Sequence, residues 1–176
     1  MKIVGEDGNY AELMGLLGDN NTRSRSEGFH SVVDKHPGLK MAAQQCADFD
    51  RAKALEVMES ILQAEDNLDA IFCANDAMAM GAYQAILSAG KQDQIKVFGF
   101  DGADDVVESI RAGKIVATAM QFPKRMARQG AEFADEYLKG RREFPQRMAV
   151  PVELVTAENV DKYADYGAKE EARTNE

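Results

Sequence analysis

The 176-residue chain is short of positive charge: 21 lysines and arginines stand against 30 aspartates and glutamates, for a formal net charge of -9 and a pI near 4.8. A nucleic-acid partner requires a basic footprint that displaces counterions from phosphates, so this balance argues against one and suits a neutral small molecule better. No run approaches the ~18 consecutive apolar residues that would span a bilayer, and the opening stretch Met1 to Gly8 is too polar and glycine-rich to serve as a signal peptide. Cysteine is nearly absent. Cys46 and Cys73 form no metal-type spacing and no C-x-x-C, and each sits in an apolar strand pattern, which reads as two small buried hydrophobes. Histidine is equally scarce, with His30 in mid-helix and His36 at a helix end, both surface positions by pattern. The sequence holds no G-x-S-x-G elbow, H-E-x-x-H, Walker loop or G-x-G-x-x-G. No catalytic residue, metal or cofactor is therefore expected, and the chain does not read as an enzyme.

What is present is a regular alternation. With 45% hydrophobic and 29% charged residues the chain can bury one core and form one domain. Apolar runs of strand length at Tyr10 to Leu17, Leu39 to Ala47, Ala70 to Ala74, Ile95 to Phe100 and Ile115 to Met120 are each followed by a helical pattern. The first helix, from Thr22 to Lys35, carries Phe29, Val32 and Val33 as its inward stripe and stops at His36-Pro37-Gly38. Leu55, Met58, Ile61 and Leu62 supply the inward face of the second, and Val106, Val107 and Ile110 that of the fourth. Strands alternating with helices predict an α/β fold, a doubly wound parallel sheet of about five strands with helices on both faces. Right-handed crossovers favour the flavodoxin-like order 2-1-3-4-5. Cys46 and Cys73 would then lie roughly 10 Å apart across an intervening strand, too far for a disulfide. After Pro123 the pattern changes to a helix over Lys124 to Lys139 with Met126, Gly130, Phe133, Tyr137 and Leu138 on one side. A charged link follows, then an extended piece from Val150 to Val155 that Pro151 makes an edge or a linker rather than a central strand, then a short helix over Ala157 to Tyr163. A tail over 165–176 closes the chain.

All five strands end in polar corners at the carboxyl edge of the sheet, where open α/β sheets bind ligands. Asn20-Asn21 with Arg23 follows the first, Asp48-Phe49-Asp50-Arg51 the second, Asn75-Asp76 the third, Phe100-Asp101-Gly102 the fourth and Gln121 the fifth. Guanidinium forks, amides and a carboxylate can together satisfy hydroxyl groups in both donor and acceptor senses, and a ring such as Phe49 can stack on the apolar face of a sugar. Simpler roles compete with these. Asp48 and Asp76 read as helix caps, Asp104 and Asp105 as first-turn acids, Arg25 as a solvated or helix-packing arginine, Met78 and Met80 as core filler, and Phe100 as either core or site. Arg23 and Arg51 stand near helix starts, where the dipole disfavours a cation, which argues for a local task.

With these corners in place, the chain resembles the type I periplasmic sugar-binding proteins, the ribose-type substrate-binding components of ABC transporters. The matching stretches are Arg23 to Phe29, Ala47 to Arg51, Ala74 to Gly81, Val97 to Gly102, Ala117 to Gln121 and Val150 to Thr156, in family order over nearly the whole chain. The resemblance implies ligand contacts at Arg23, Phe49, Arg51, Asn75, Asp101 and Gln121, with Asn21 and Phe100 as further candidates. It also implies that the chain corresponds to the carboxyl-terminal half of a two-lobed protein, without the first lobe, its aromatics or the secretion signal. On that basis residues 1–121 form the sugar-binding lobe, 122–148 a crossover helix packing on the other lobe, 149–164 a return segment with a short helix, and 165–176 a tail. The expected partners are a pentose, hexose or polyol, the missing lobe, an ABC permease in the membrane, and a second copy of the chain through the helix around Phe133. The expected location is periplasmic. The alternative is the effector-binding half of a sugar-responsive LacI-type transcription regulator, which would need a helix-turn-helix segment not present here. A flavodoxin-like or receiver-type signalling domain would need a phosphate loop, or an acidic pocket with a strand-end lysine, and neither is evident.

Overall fold

Each apolar run becomes a strand and each periodic stretch a helix. The computed structural model describes residue 5 and residues 7–163; the tail expected over 165–176 lies outside them. The order is β1 (Asp7–Met14), α1 (Asn20–Val33), β2 (Gly38–Cys46), α2 (Arg51–Ala64), β3 (Ala70–Cys73), α3 (Asp76–Ser88), β4 (Lys96–Asp101), α4 (Asp104–Arg111), β5 (Ala117–Met120), α5 (Pro123–Leu138) and β6 (Glu153–Thr156), with a 3-10 turn at Val160–Lys162. The strands form one sheet in the order β2-β1-β3-β4-β5-β6. The first five run parallel in the expected order, and β6 adds an antiparallel edge beside β5. Pro151 stands just before that edge strand, where a missing N–H interrupts no central ladder. Cys46 and Cys73 are free thiols on β2 and β3, with β1 between them.

The core lies on one face of the sheet. Ala11, Leu13, Ile71, Cys73 and Val97 point into it from the strands, and Met58, Ile61, Met78, Ile86, Val106 and Ile110 from α2, α3 and α4. Burying each of the larger side chains stabilises the fold by about 1.5–3 kcal/mol before entropy is counted. Gly81 sets the closest approach of α3 to α2: a Cβ there would sit 2.1 Å from the Arg51 carbonyl oxygen. The opposite face carries Tyr10, Glu12 and Phe72 under α1. Phe29 stacks on Phe72 with centroids 4.5 Å apart and meets Tyr10 edge-on. The inward stripe expected of α1 is only half covered, with Val32 50% exposed, because an apolar groove of about 310 Å³ runs beside the helix between Phe29, Phe72, Phe98, Ala119 and Leu154.

Two stretches depart from the sequence expectation. β1 begins and ends three residues earlier than expected, so Leu16 and Leu17 fall in the loop and are exposed. Glu12, inside the presumed apolar run, is fully buried. Burying a carboxylate is costly unless it is hydrogen-bonded. Here Oε2 lies 3.0 Å from His30 Nε2 and accepts from Gln44 Nε2 at 2.6 Å, while Oε1 has no partner among the described residues. His30 also meets Asp34 at 3.0 Å. Its pKa is raised, first by the hydrogen bond to Asp34 and then, against desolvation, by Glu12.

Candidate functional site

The polar corners meet above the carboxyl ends of β3, β4 and β5. Asp101, the last residue of β4, is the hub: its Oδ1 accepts from Arg25 Nη2 at 2.9 Å and from Gln121 Nε2 at 2.6 Å. Arg25 donates its other terminal nitrogen to the Ala74 carbonyl at 2.6 Å, and its guanidinium lies 4.2 Å from the Phe100 ring centroid and 5.7 Å from that of Phe49. The ring of Phe49 rests where Gly15 has no side chain, since a Cβ on Gly15 would come within 2.1 Å of it. Asn75 caps α3; its Oδ1 accepts from Met78 N–H at 2.9 Å and its Nδ2 donates to the Phe49 carbonyl at 3.3 Å.

Of the residues expected to carry ligand contacts, Phe49, Asn75, Asp101 and Gln121 are therefore brought together, with Phe100 beneath Arg25. Arg23 is not among them. Its side chain is 68% exposed, paired loosely with Glu27 at 3.9 Å and bonded to Asn20, and it borders a separate cleft of about 300 Å³ with Met14, Leu17 and Thr22. The inward arginine is Arg25, with only 12% of its side chain exposed. Helix geometry is the reason: residues two apart on an α-helix point about 200° from one another. The signal was present in the sequence, because Arg25 lies four residues before Phe29 and shares its stripe. Arg51 also stands apart, half-exposed and paired with Asp105 of α4. Asn21 is exposed, its backbone N–H donating to Asp19 Oδ1 at 2.6 Å.

Two helix starts exchange the roles expected of their residues. Asp50, not Asp48, caps α2 by accepting from Lys53 N–H at 2.8 Å. Asp48 instead lies 2.9 Å from Cys46 Sγ and pairs with Lys53, and these two hydrogen bonds, Cys46 first, hold its pKa below the ordinary carboxylate value. Asn75, not Asp76, caps α3. Asp76 is 1% exposed and reaches sideways to the backbone of the β4–α4 loop and to Thr118. Burial, aided by the Asp101 charge and opposed by these hydrogen bonds, pushes its pKa up to about 6.

Among the described residues, the three non-glycine residues with positive φ, Asp48 (54°), Phe49 (60°) and Asp101 (122°), all stand at these corners. Such conformations persist where the surroundings over-determine them, and they cluster at functional sites. Chemically the cluster is close to neutral, because Arg25 offsets Asp101. Asp101 Oδ2 has no hydrogen-bond partner among the described residues, and the Arg25 guanidinium bonded to Oδ1 lies against the Phe49 and Phe100 rings. That mixture of donors, acceptors and rings suits an uncharged, hydroxyl-rich molecule. Among the described residues no group of histidine, cysteine and carboxylate side chains is arranged to hold a metal ion.

A mostly parallel six-stranded sheet with polar corners gathered at its carboxyl edge is the architecture of one lobe of a solute-binding protein. The chain belongs to the periplasmic binding protein family, whose domain model matches residues 1–142. It is 39% identical over 163 residues to the D-apiose import binding protein of Paraburkholderia graminis, covering 92% of this chain and 52% of that protein. It is 42% identical over 139 residues to the ribose import binding protein of Escherichia coli K12, covering 79% of this chain and 46% of that one. The crystal structure of an ABC transporter periplasmic solute-binding protein from Actinobacillus succinogenes 130z with bound D-allose superposes with a TM-score of 0.89 at 33% identity, over 92% of this chain and 56% of the other. The chain thus spans about half the length of the curated relatives it matches.

Proposed function

We propose that residues 1–121 form one ligand-binding lobe for a neutral pentose, hexose or polyol, in a non-enzymatic binding protein that passes its sugar to an ABC permease from a periplasmic location. The observation that carries this is the convergence of Arg25, Asp101 and Gln121 with Phe49, Asn75 and Phe100 on one crevice. Support also comes from relatives described as import binding proteins for D-apiose and ribose, which favours this reading over the transcription-regulator alternative. In this proposal Arg25 takes the place given above to Arg23, and Arg51 braces the α2 and α4 starts from outside the contact set. Residues 122–148 cross to a second lobe and 149–164 return. α5 has no buried residue, and Leu138 at its end is 83% exposed, as a helix would be whose packing partner lies in that lobe or in a second copy of the chain.

The test is a titration of the ¹⁵N-labelled chain with D-ribose, D-allose and myo-inositol, followed by amide shifts. A single lobe supplies part of the contacts, so millimolar affinity, about 4 kcal/mol, is expected, with shifts confined to Phe49, Asn75, Phe100 to Gly102 and Gln121. Shifts scattered over the surface, or none at these corners with any of the three sugars, would reject the site.

A further inference from the structure

Asp76 spends its carboxylate on residues distant in sequence. It is the first residue of α3, where a carboxylate commonly meets the helix N–H groups, yet its oxygens bond elsewhere. Oδ2 accepts from Gly102 N–H at 2.8 Å and Ala103 N–H at 2.7 Å; Oδ1 accepts from the buried Thr118 hydroxyl at 2.8 Å. The Gly102 N–H is shared with Thr118 Oγ1 at 3.3 Å. Gly99 makes room for the arrangement, since a Cβ at that position would lie 2.2 Å from Asp76 Oδ1. One buried carboxylate at the start of α3 thus ties down the loop after β4 and the middle of β5.

The residue held by this tie is Asp101. Its φ of 122° is one that an L-residue adopts only under constraint, and Gly102 follows at 82°. Fixing the N–H groups of the next two residues fixes the peptide planes on the carboxyl side of Asp101, and with them the direction of its Cα–Cβ bond. We infer that Asp76 is a positioning residue: with Thr118 and the space at Gly99, it holds the Asp101 corner so that the carboxylate faces Arg25 and Gln121. This rests on the sugar-site reading for its purpose, but the mechanical coupling stands apart from any ligand. The competing account is a plain anchor for the β4–α4 loop, with Asp101 held by Arg25 and Gln121 alone.

The two accounts separate in Asp76→Asn, Thr118→Val and Thr118→Ser variants of the ¹⁵N-labelled chain. Asp69→Asn is the control, because Asp69 Oδ2 makes the same kind of bond to Asn9 N–H, at 2.7 Å, at the other end of the sheet. Amide hydrogen exchange at Gly102 and Ala103 reads the tie. The Gln121 side-chain amide signal reads the position of the Asp101 carboxylate. Asp76→Asn is expected to speed exchange at both amides by about ten- to a hundred-fold, the range for losing a hydrogen bond to a charged group, and to move the Gln121 signal. Thr118→Val should do the same more weakly, Thr118→Ser should behave as the native chain, and Asp69→Asn should leave both probes unchanged. If Asp76→Asn loosens the two amides but leaves the Gln121 signal in place, the anchor account holds and the positioning role is overturned; unchanged exchange overturns both. Should Asp76→Asn fail to fold, Thr118→Val answers the same questions. In a D-ribose titration, silence from the native chain counts against the sugar reading, while the exchange and Gln121 signals still decide the role of Asp76. If the native chain responds, Asp76→Asn must weaken D-ribose at least tenfold, and undiminished affinity would overturn the positioning role.

Discussion

Two arginines two residues apart on α1 offer the sharpest test of the site geometry. Arg25→Ala removes a side chain that is 12% exposed and makes two charge-assisted hydrogen bonds, at 2.6 Å to the Ala74 carbonyl and 2.9 Å to Asp101, over the Phe100 ring. Hydrogen bonds to charged groups contribute about 1.5–3 kcal/mol each, and a cation over a ring about 0.5–2 kcal/mol. Asp101 is 36% exposed, so water replaces part of what the arginine gave it, and the ion-pair share must be discounted accordingly. A loss of about 2–4 kcal/mol is expected. Arg23→Ala removes a pair 3.9 Å apart whose side chains are 68% and 71% exposed, which should change stability by no more than about 0.5 kcal/mol. Urea unfolding of both variants, compared at a common slope, measures the contrast. Equal losses, or a larger loss for Arg23→Ala, would refute the inward placement of Arg25.

Three further outcomes are expected. His30 sits between Glu12 and Asp34 with a folded-state pKa raised above its ordinary 6.5; its contribution is fully present below pH 6.5 and lost as pH rises through the folded value. Urea midpoints across that window should fall in the native chain relative to His30→Gln, and parallel pH profiles would contradict the arrangement. Gly81→Ala places a methyl 2.1 Å from the Arg51 carbonyl oxygen and should cost about 1–3 kcal/mol by forcing α3 from α2; an unchanged melting temperature would show that the helices are not so close. On α5, Tyr137 and Leu138 are 54% and 83% exposed, so the native chain should bind a hydrophobic dye or self-associate in sedimentation, and Tyr137→Ser with Leu138→Ser should reduce either effect. A monodisperse, dye-silent native chain would mean that the stripe is covered.

The βα alternation was legible because periodicity is local. The runs around Ile71, Val97 and Ala117 can be placed, and right-handed crossovers favour the order 2-1-3-4-5 that the first five strands adopt. Pro151 leaves the extended piece before β6 as either an edge strand or a linker, and its antiparallel pairing with β5 depends on a long return that no local signal encodes. The site was legible as a set of strand ends, since each corner breaks an apolar run with polar residues. Which side chain at a corner turns inward was harder to read. The resemblance points to Arg23 and Arg51, and the helix dipole adds only a term of about 0.3–1 kcal/mol that falls off within one turn. Facial geometry decides instead, placing Arg25 on the Phe29 stripe and Arg51 against Asp105. Glu12 gives no local signal, because a single polar residue in an apolar run carries no sign of the histidine 18 positions away that stands beside it.

The exchanged roles of Asn75 and Asp76 connect the fold to the site. A carboxylate and an amide at adjacent positions are both good caps, so local preference cannot choose between them. The choice is made across the sheet. Once Gly99 leaves a space beside α3 and the β4–α4 loop offers two unpaired N–H groups, a buried anion is worth more there than at the helix end, and the cap passes to Asn75. Asn75 can then hold α3 and donate to the Phe49 carbonyl at once, which a carboxylate cannot do. The two corners held in this way, Phe49 at φ 60° and Asp101 at φ 122°, are those whose backbones would otherwise relax. Relaxation at either would move a ring or a carboxylate out of the crevice. Strain at the strand ends is therefore sustained by a buried network on the core side, and the crevice keeps its shape only as long as that network does.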